Sequence, residues 1–282
     1  MSWVRREVER WDNEPQMIRC VRASTVGVMR RVRCAIVIVL ATVTCVALMW
    51  SPQTSASAAA SSPDSLSHLG NAHQVIIVTA SGWSSPAGTL TAWERDAHGW
   101  RRVIAPTPAV LGARGLVLAS QRRQSTGTTP AGTFAIPSSF GRLPNPGTGL
   151  PYTQLTPKDA WPYNPDDPST YNVFQDADRS WDSYGHNVEY LWRHGVQYDY
   201  VAVLDYNLPR GSITTDANGI RHATTPANTA AGGGIFLHVS DGRKTTGCIA
   251  VSRKAMRSIL RWLNPAAQPV IVVGPQSQIN QM

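Results

Sequence analysis

The sequence predicts a mainly β domain with one helix near its C-terminal end and a long irregular insertion. Three observations predict it. Apolar residues make up 42% of the 282-residue chain, yet they fall in short runs broken by turns that draw on 22 Gly and 20 Pro. Charged residues are only 16%, which excludes a coiled coil or a charge-rich disordered chain. A clear apolar stripe at helical spacing occurs once, after Ser252.

The elements follow in order. Residues 1–60 read as an N-terminal extension with an address. Arg30, Arg31 and Arg33 precede an uncharged apolar run of 17 residues at 34–50, and small residues follow around 56–60. That is the pattern of a secretory signal, with MRRVRC from Met29 a plausible true start. The run is short for a membrane span, so an uncleaved anchor is the alternative, and in either case the folded part faces outward. Residues 61–71 read as a linker, 72–275 as the folded domain and 276–282 as a tail. Within the domain, Gln74–Ala80 is a strand, and 90–94 and 100–104 flank an Asp-Ala-His-Gly hairpin turn at 96–99. Strands are expected at 116–119 and 133–136. Residues 140–195, rich in Pro, Asn, Asp, Tyr and Trp, form the insertion, a cover over the site. Strands at 200–206, 235–239 and 249–251 come next. Ser252 caps a helix whose apolar face is Met256, Ile259, Leu260 and Leu263; Pro265 ends it, and 270–273 is the last strand.

The chemistry concentrates at 235–252, IFLHVSDGRKTTGCIAVS. His238 ends an apolar strand and Cys248 begins the next, so the intervening loop can bring the two together. Cys248 is the only cysteine beyond residue 45, which leaves it no disulfide partner in the exported part. Taken alone, each residue fits a buried bystander; taken together they fit a thiol activated by an imidazole as a thiolate–imidazolium pair. Gly247 would let a carbonyl substrate approach, with the N–H groups of Gly247 and Cys248 as oxyanion donors. One Cys and one His are too few for zinc, and no cofactor is expected.

These residues resemble a family. His238 with TTGCI at 245–249, TTPAGTF at 128–134 and PVIVVG at 269–274 are similar to the signatures of the YkuD-type L,D-transpeptidases, over about residues 72–275. The resemblance implies a YkuD-like β-sandwich. It also implies attack by Cys248 on the third residue of a peptidoglycan stem peptide, release of the terminal D-Ala, and resolution of the thioester by an amine. His238 would be base and then acid, oriented by a backbone carbonyl, with Val239 the place to look. Water as acceptor would make a carboxypeptidase. A hydrolase of another envelope amide, or a wall-binding module without turnover, are the remaining alternatives.

Two positions depart from the family pattern. Thr246 stands where better-known members have His before Gly-Cys, and Ala250 where they have Arg or Asn. Thr246, Val239, Arg243, Lys244 and Asn207 are therefore the candidate substrate contacts. Asp205 reads equally as a stem-peptide contact or a strand-end turn, Glu189 as a helix-surface carboxylate ahead of a contact of the cover, and His194 and His222 as solvated. The net charge of +8 divides evenly between residues 1–50 and the remainder, with no basic stripe, so nucleic acid is not an expected partner. The expected partners are stem peptides, with a membrane only through an uncleaved N-terminal segment, and the domain is expected to be a monomer.

The mature chain is expected to begin near residues 59–61. Intact mass of the exported protein checks this; an envelope form that still carries 34–50 would show an anchor instead.

Overall fold

Fifteen strands and one α-helix make up the computed structural model, which describes residues 62–282. The expected signal or anchor at 34–50 lies outside the described residues. β1 (Gln74–Ala80), β2 (Ala87–Asp96) and β3 (Gly99–Val110) form an antiparallel meander. β4 (Leu116–Leu118), β5 (Thr129–Ala135), β6 (Ser138–Gly141) and β7 (Tyr152–Gln154) follow. β8 (Ala160–Pro162) pairs with β9 (Val188–Tyr190). After β10 (Val201–Val203), β11 (Arg210–Thr215) and β12 (Arg221–Thr225) form a separate ladder. β13 (Phe236–Val239), β14 (Ile249–Val251), helix α1 (Arg253–Trp262) and β15 (Val270–Pro275) follow, and a 3-10 turn at Gln276–Gln281 closes the described residues.

Eleven strands join one sheet in the order β4-β5-β15-β1-β2-β3-β14-β13-β10-β6-β7. One face of it wraps a continuous core. Ile76 and Val78 of β1, Leu90 of β2, Ala202 of β10, Leu237 and Val239 of β13, and Ile249 and Val251 of β14 share that core with Met256, Ile259 and Leu260 of α1. This is the mainly β sandwich with one α-helix that the sequence predicts. Ser252 caps α1, its hydroxyl accepting the Ala255 N–H at 3.2 Å.

The opposite face of the sheet carries two smaller cores. On one, Val75, Ile77 and Val272 pack against Ile279 and Met282. The segment 276–282 is thus part of the packed body and not a free tail. Residues of the expected linker join it as well, with Leu66 and Leu69 against the same cluster. On the other, Phe140, Val201, Val203 and Phe236 pack against Leu155, Trp161 and Leu191 of the insertion and Tyr198 just after it. Because successive strand residues alternate, β13 sends Leu237 and Val239 to the main core and Phe236 and His238 to the insertion.

Several boundaries differ from expectation. The β2–β3 arms run well past 90–94 and 100–104, although Pro106 and Pro108 argue against a strand. A register shift between Leu90 and Ala92 sits opposite this stretch, and a bulge is where a ladder tolerates proline. The strand expected over 200–206 stops at Val203. The Asp205 carboxylate accepts the Ala135 N–H at 2.8 Å, and Asn207 turns the chain with φ of 50°. The insertion carries β7, β8 and β9 and buries Tyr171, Trp181 and Leu191 completely, so its aromatic residues build a second core. β6, β11 and β12 were not foreseen: β11 is exposed along its length and lacks alternation.

Removing the apolar wedge of α1 should cost more than removing its cap. Ile259→Ala should lower unfolding stability by about 2–5 kcal/mol and Ser252→Ala by about 1 kcal/mol, read from denaturant midpoints.

Candidate active site

Cys248 lies just before β14, two residues from Ala250, which pairs with His238 across the parallel β13–β14 ladder. Cys248 is 8% exposed and His238 5%. Both line one cavity of about 310 Å³, with Glu189, His194, Gln197, Tyr198, Asp241 and Thr246 among its walls. Cys248 also lines a second cavity of about 330 Å³, which contains Arg122, Tyr163, Glu189, Thr246, Gly247 and the glycines 232–234. The thiol therefore stands where two cavities meet, and Glu189 and Thr246 are common to both.

The backbone around the thiol is pinned. The Cys248 carbonyl accepts from the Thr245 hydroxyl at 2.6 Å and from the Thr129 hydroxyl at 3.4 Å. Thr129 is fully buried and in turn accepts the Gly112 N–H at 2.8 Å. The TTPAGTF segment thus reaches the cysteine directly. Gly247 has φ of 150°, and a Cβ there would lie 2.9 Å from Arg122 Nη2 and 3.0 Å from the Thr128 carbonyl, so only glycine fits. Its N–H donates to the Thr245 hydroxyl at 3.2 Å. That correction removes Gly247 N–H from the expected oxyanion donors: it is already used to shape the turn.

His238 Nδ1 lies 2.9 Å from the Val239 carbonyl, the orientation anticipated for it. A carbonyl only accepts, so Nδ1 carries the proton and Nε2 keeps its lone pair for the thiol. In the resting arrangement the thiol donates to the Gly234 carbonyl at 3.2 Å. Burial pushes the Cys248 pKa up to about 12, with the Glu189 charge adding to it; the Phe236 backbone and Arg122 act the other way. Burial likewise lowers His238 to about 4. Burial disfavours the charged form of both groups, so both shifts run toward a neutral thiol and a neutral imidazole and against the ion pair anticipated from the sequence.

The other candidates divide. Thr246 is exposed at the junction of both cavities. Arg243 and Lys244 line the His238 cavity, where Arg243 is 81% exposed and pairs with Asp241 at 2.6 Å. Asn207 lines neither cavity. Its amide bonds the Asn228 carbonyl at 2.8 Å and the Gly232 carbonyl at 2.7 Å, holding the glycine segment in place. Asp205 anchors β5, as above. His222, expected in solvent, bonds the Ser169 hydroxyl at 3.0 Å. Ala250 is buried in its strand and offers no polar contact.

Two cavity residues were not among the expected contacts. Glu189, for which a surface carboxylate stood ahead of a contact of the cover, accepts from the Tyr198 hydroxyl at 2.9 Å, with His194 Nε2 at 3.9 Å. Burial raises its pKa, opposed by His194, Tyr198 and Tyr163. Tyr198 also packs edge-on to His238, ring centroids 5.6 Å apart. Arg122, in a run of QRRQ, gave no signal as a site residue, yet it is 4% exposed and lines the cavity with Cys248.

The family model for the L,D-transpeptidase catalytic domain, YkuD, matches residues 83–272, a span that contains both motif segments and the cavity residues. No curated protein and no solved structure matches the chain.

A buried histidine held neutral makes stability depend on acid. Between the ordinary value of 6.5 and about 4, the unfolded chain protonates His238 and the folded chain does not. Its contribution to stability is therefore kept above 6.5 and lost as pH falls through that window. Melting temperatures between pH 7 and 4 should fall more steeply for the wild type than for His238→Gln.

Proposed function

Because the chain belongs to the YkuD L,D-transpeptidase catalytic-domain family, we propose that it is an exported cysteine acyltransferase acting on peptidoglycan stem peptides through a thioester on Cys248. The single observation that carries this reading is the shared cavity of Cys248 and His238, with Nδ1 held on the Val239 carbonyl.

The donor is the L-centre carbonyl of the third stem residue. As Cys248 Sγ attacks, the thiol proton passes to His238 Nε2, and the carbonyl oxygen becomes an oxyanion. Collapse breaks the C–N bond to the terminal D-Ala. The imidazolium returns its proton to the departing amine, and an acyl thioester remains on sulfur. An acceptor amine then attacks the thioester, gives a proton to His238, and the thiol is restored. The neutral resting pair suits this order, since proton transfer accompanies attack and the thiol is not consumed by other electrophiles beforehand. Two cavities meeting at one sulfur suit a reaction with two substrates, a donor in one and an acceptor in the other. Export is supported by the Arg-flanked apolar run at 34–50 and the small residues after it.

Incubation of the domain with a tetrapeptide stem, with and without an amine acceptor, tests the reading by mass spectrometry. The expected products are free D-Ala and a cross-linked peptide. Cys248→Ala should give neither product, and His238→Gln should slow turnover by about 10²-fold or more. Release of D-Ala with water as the only acceptor would make it a carboxypeptidase. Intact stems with a folded protein would leave a wall-binding module.

A further inference from the structure

We infer that Arg122 is the anchor for the terminal carboxylate of the donor peptide, a specificity-determining residue for the reaction. The inference deepens the reading above and rests on it for the identity of the peptide.

Arg122 is a buried cation without a counter-ion. Its Nε donates to the Thr128 carbonyl at 3.0 Å and its Nη1 to the Ala231 carbonyl at 2.8 Å. Its guanidinium lies over the Tyr206 ring, 5.4 Å from the centroid. No carboxylate forms an ion pair with it among the described residues. The one acidic side chain in the same cavity, Glu189, is engaged by Tyr198 and His194. Burying an unpaired charge is costly, and two carbonyl dipoles offset only part of that cost.

The geometry says which anion fits. Two of the three guanidinium nitrogens are fixed on backbone carbonyls, which leaves Nη2 as the free donor edge. Nη2 is the atom that a Cβ on Gly247 would meet at 2.9 Å, so it lies beside the Gly-Cys peptide unit. In a peptide whose scissile carbonyl sits at the thiol, the carboxylate of the following residue lies about 4 Å further along the chain. A terminal amino acid therefore places its carboxylate beside the reacting carbonyl, within the cavity that Arg122 lines. The pairing is charge-assisted and shielded from solvent, where it is strongest. It also fills the gap left by Ala250: a cation enters from the loop before β5 in place of a polar side chain after the cysteine.

The test compares two alkylating agents that differ only in charge. Iodoacetate and iodoacetamide both transfer a carbon to sulfur and release iodide, and neither needs a stem peptide. The ratio of their rates at Cys248, divided by the same ratio for free cysteine, should be about tenfold in favour of iodoacetate. Arg122→Gln should return it to about one, and Arg122→Lys should keep part of it. N-acetyl-D-alanine should protect the wild-type thiol more than N-acetyl-D-alaninamide does. With stem peptides, Arg122→Lys should raise KM for the acid terminus and leave that for a terminal amide unchanged. A wild-type ratio of one, equal protection by acid and amide, or equal losses on both termini would overturn the proposal; the first two need no variant to fold. If the carboxylate preference is found but stem peptides are untouched, the anchor stands and the peptidoglycan reading falls.

Discussion

The carbonyl of Cys248 is where the chain's separated segments are tied together. Two hydroxyls converge on it, one from Thr245 in the preceding turn and one from Thr129 at the start of β5. Thr129 is also fixed by the Gly112 N–H beyond β3. A side chain on a strand end would otherwise share the freedom of its loop. Here the Cys248 carbonyl is held both by the neighbouring Thr245 and by Thr129, 119 residues away in sequence. The thiol thus keeps its place relative to His238, which β13 carries on the adjacent ladder position.

That placement puts the reactive pair on the less obvious side of the sheet. The main core lies under Leu237, Val239, Ile249 and Val251, while His238 and Cys248 face the insertion. The insertion completes a second core around Phe140, Phe236 and Trp161 on the face that carries the pair, and burial there raises the thiol pKa and lowers that of the imidazole. The Val239 carbonyl fixes the imidazole tautomer, and the thiol rests on the Gly234 carbonyl.

Charge is distributed unevenly around the sulfur. Arg122 is on the side of Gly247, and Glu189 reaches both cavities from the insertion. Asp241 and Arg243 neutralise each other at the outer rim. The departures at Thr246 and Ala250 thus do not leave the cavities without polar side chains: the loop before β5 supplies Arg122 and the insertion supplies Glu189.

The sequence by itself determined the mainly β class and helix α1 and singled out Cys248 and His238, which the fold brings to one cavity; Val239 as the carbonyl beside the imidazole followed from the family resemblance. Each of these rests on local information: alternation along strands, an i, i+3, i+4 stripe behind a serine cap, and a motif whose members lie within eleven residues of one another. Only the tertiary structure decided that Arg122 and Glu189 line the cavities beside Cys248, that Asn207 lines neither, that the Gly247 N–H donates to the Thr245 hydroxyl, and that burial works against charge on both Cys248 and His238. Arg122 is 126 residues from Cys248 and looks in sequence like one more surface arginine. Its burial, like the protonation of the pair, depends on which distant segments exclude water from it, and desolvation is a property of the packed surroundings that no short stretch of sequence encodes.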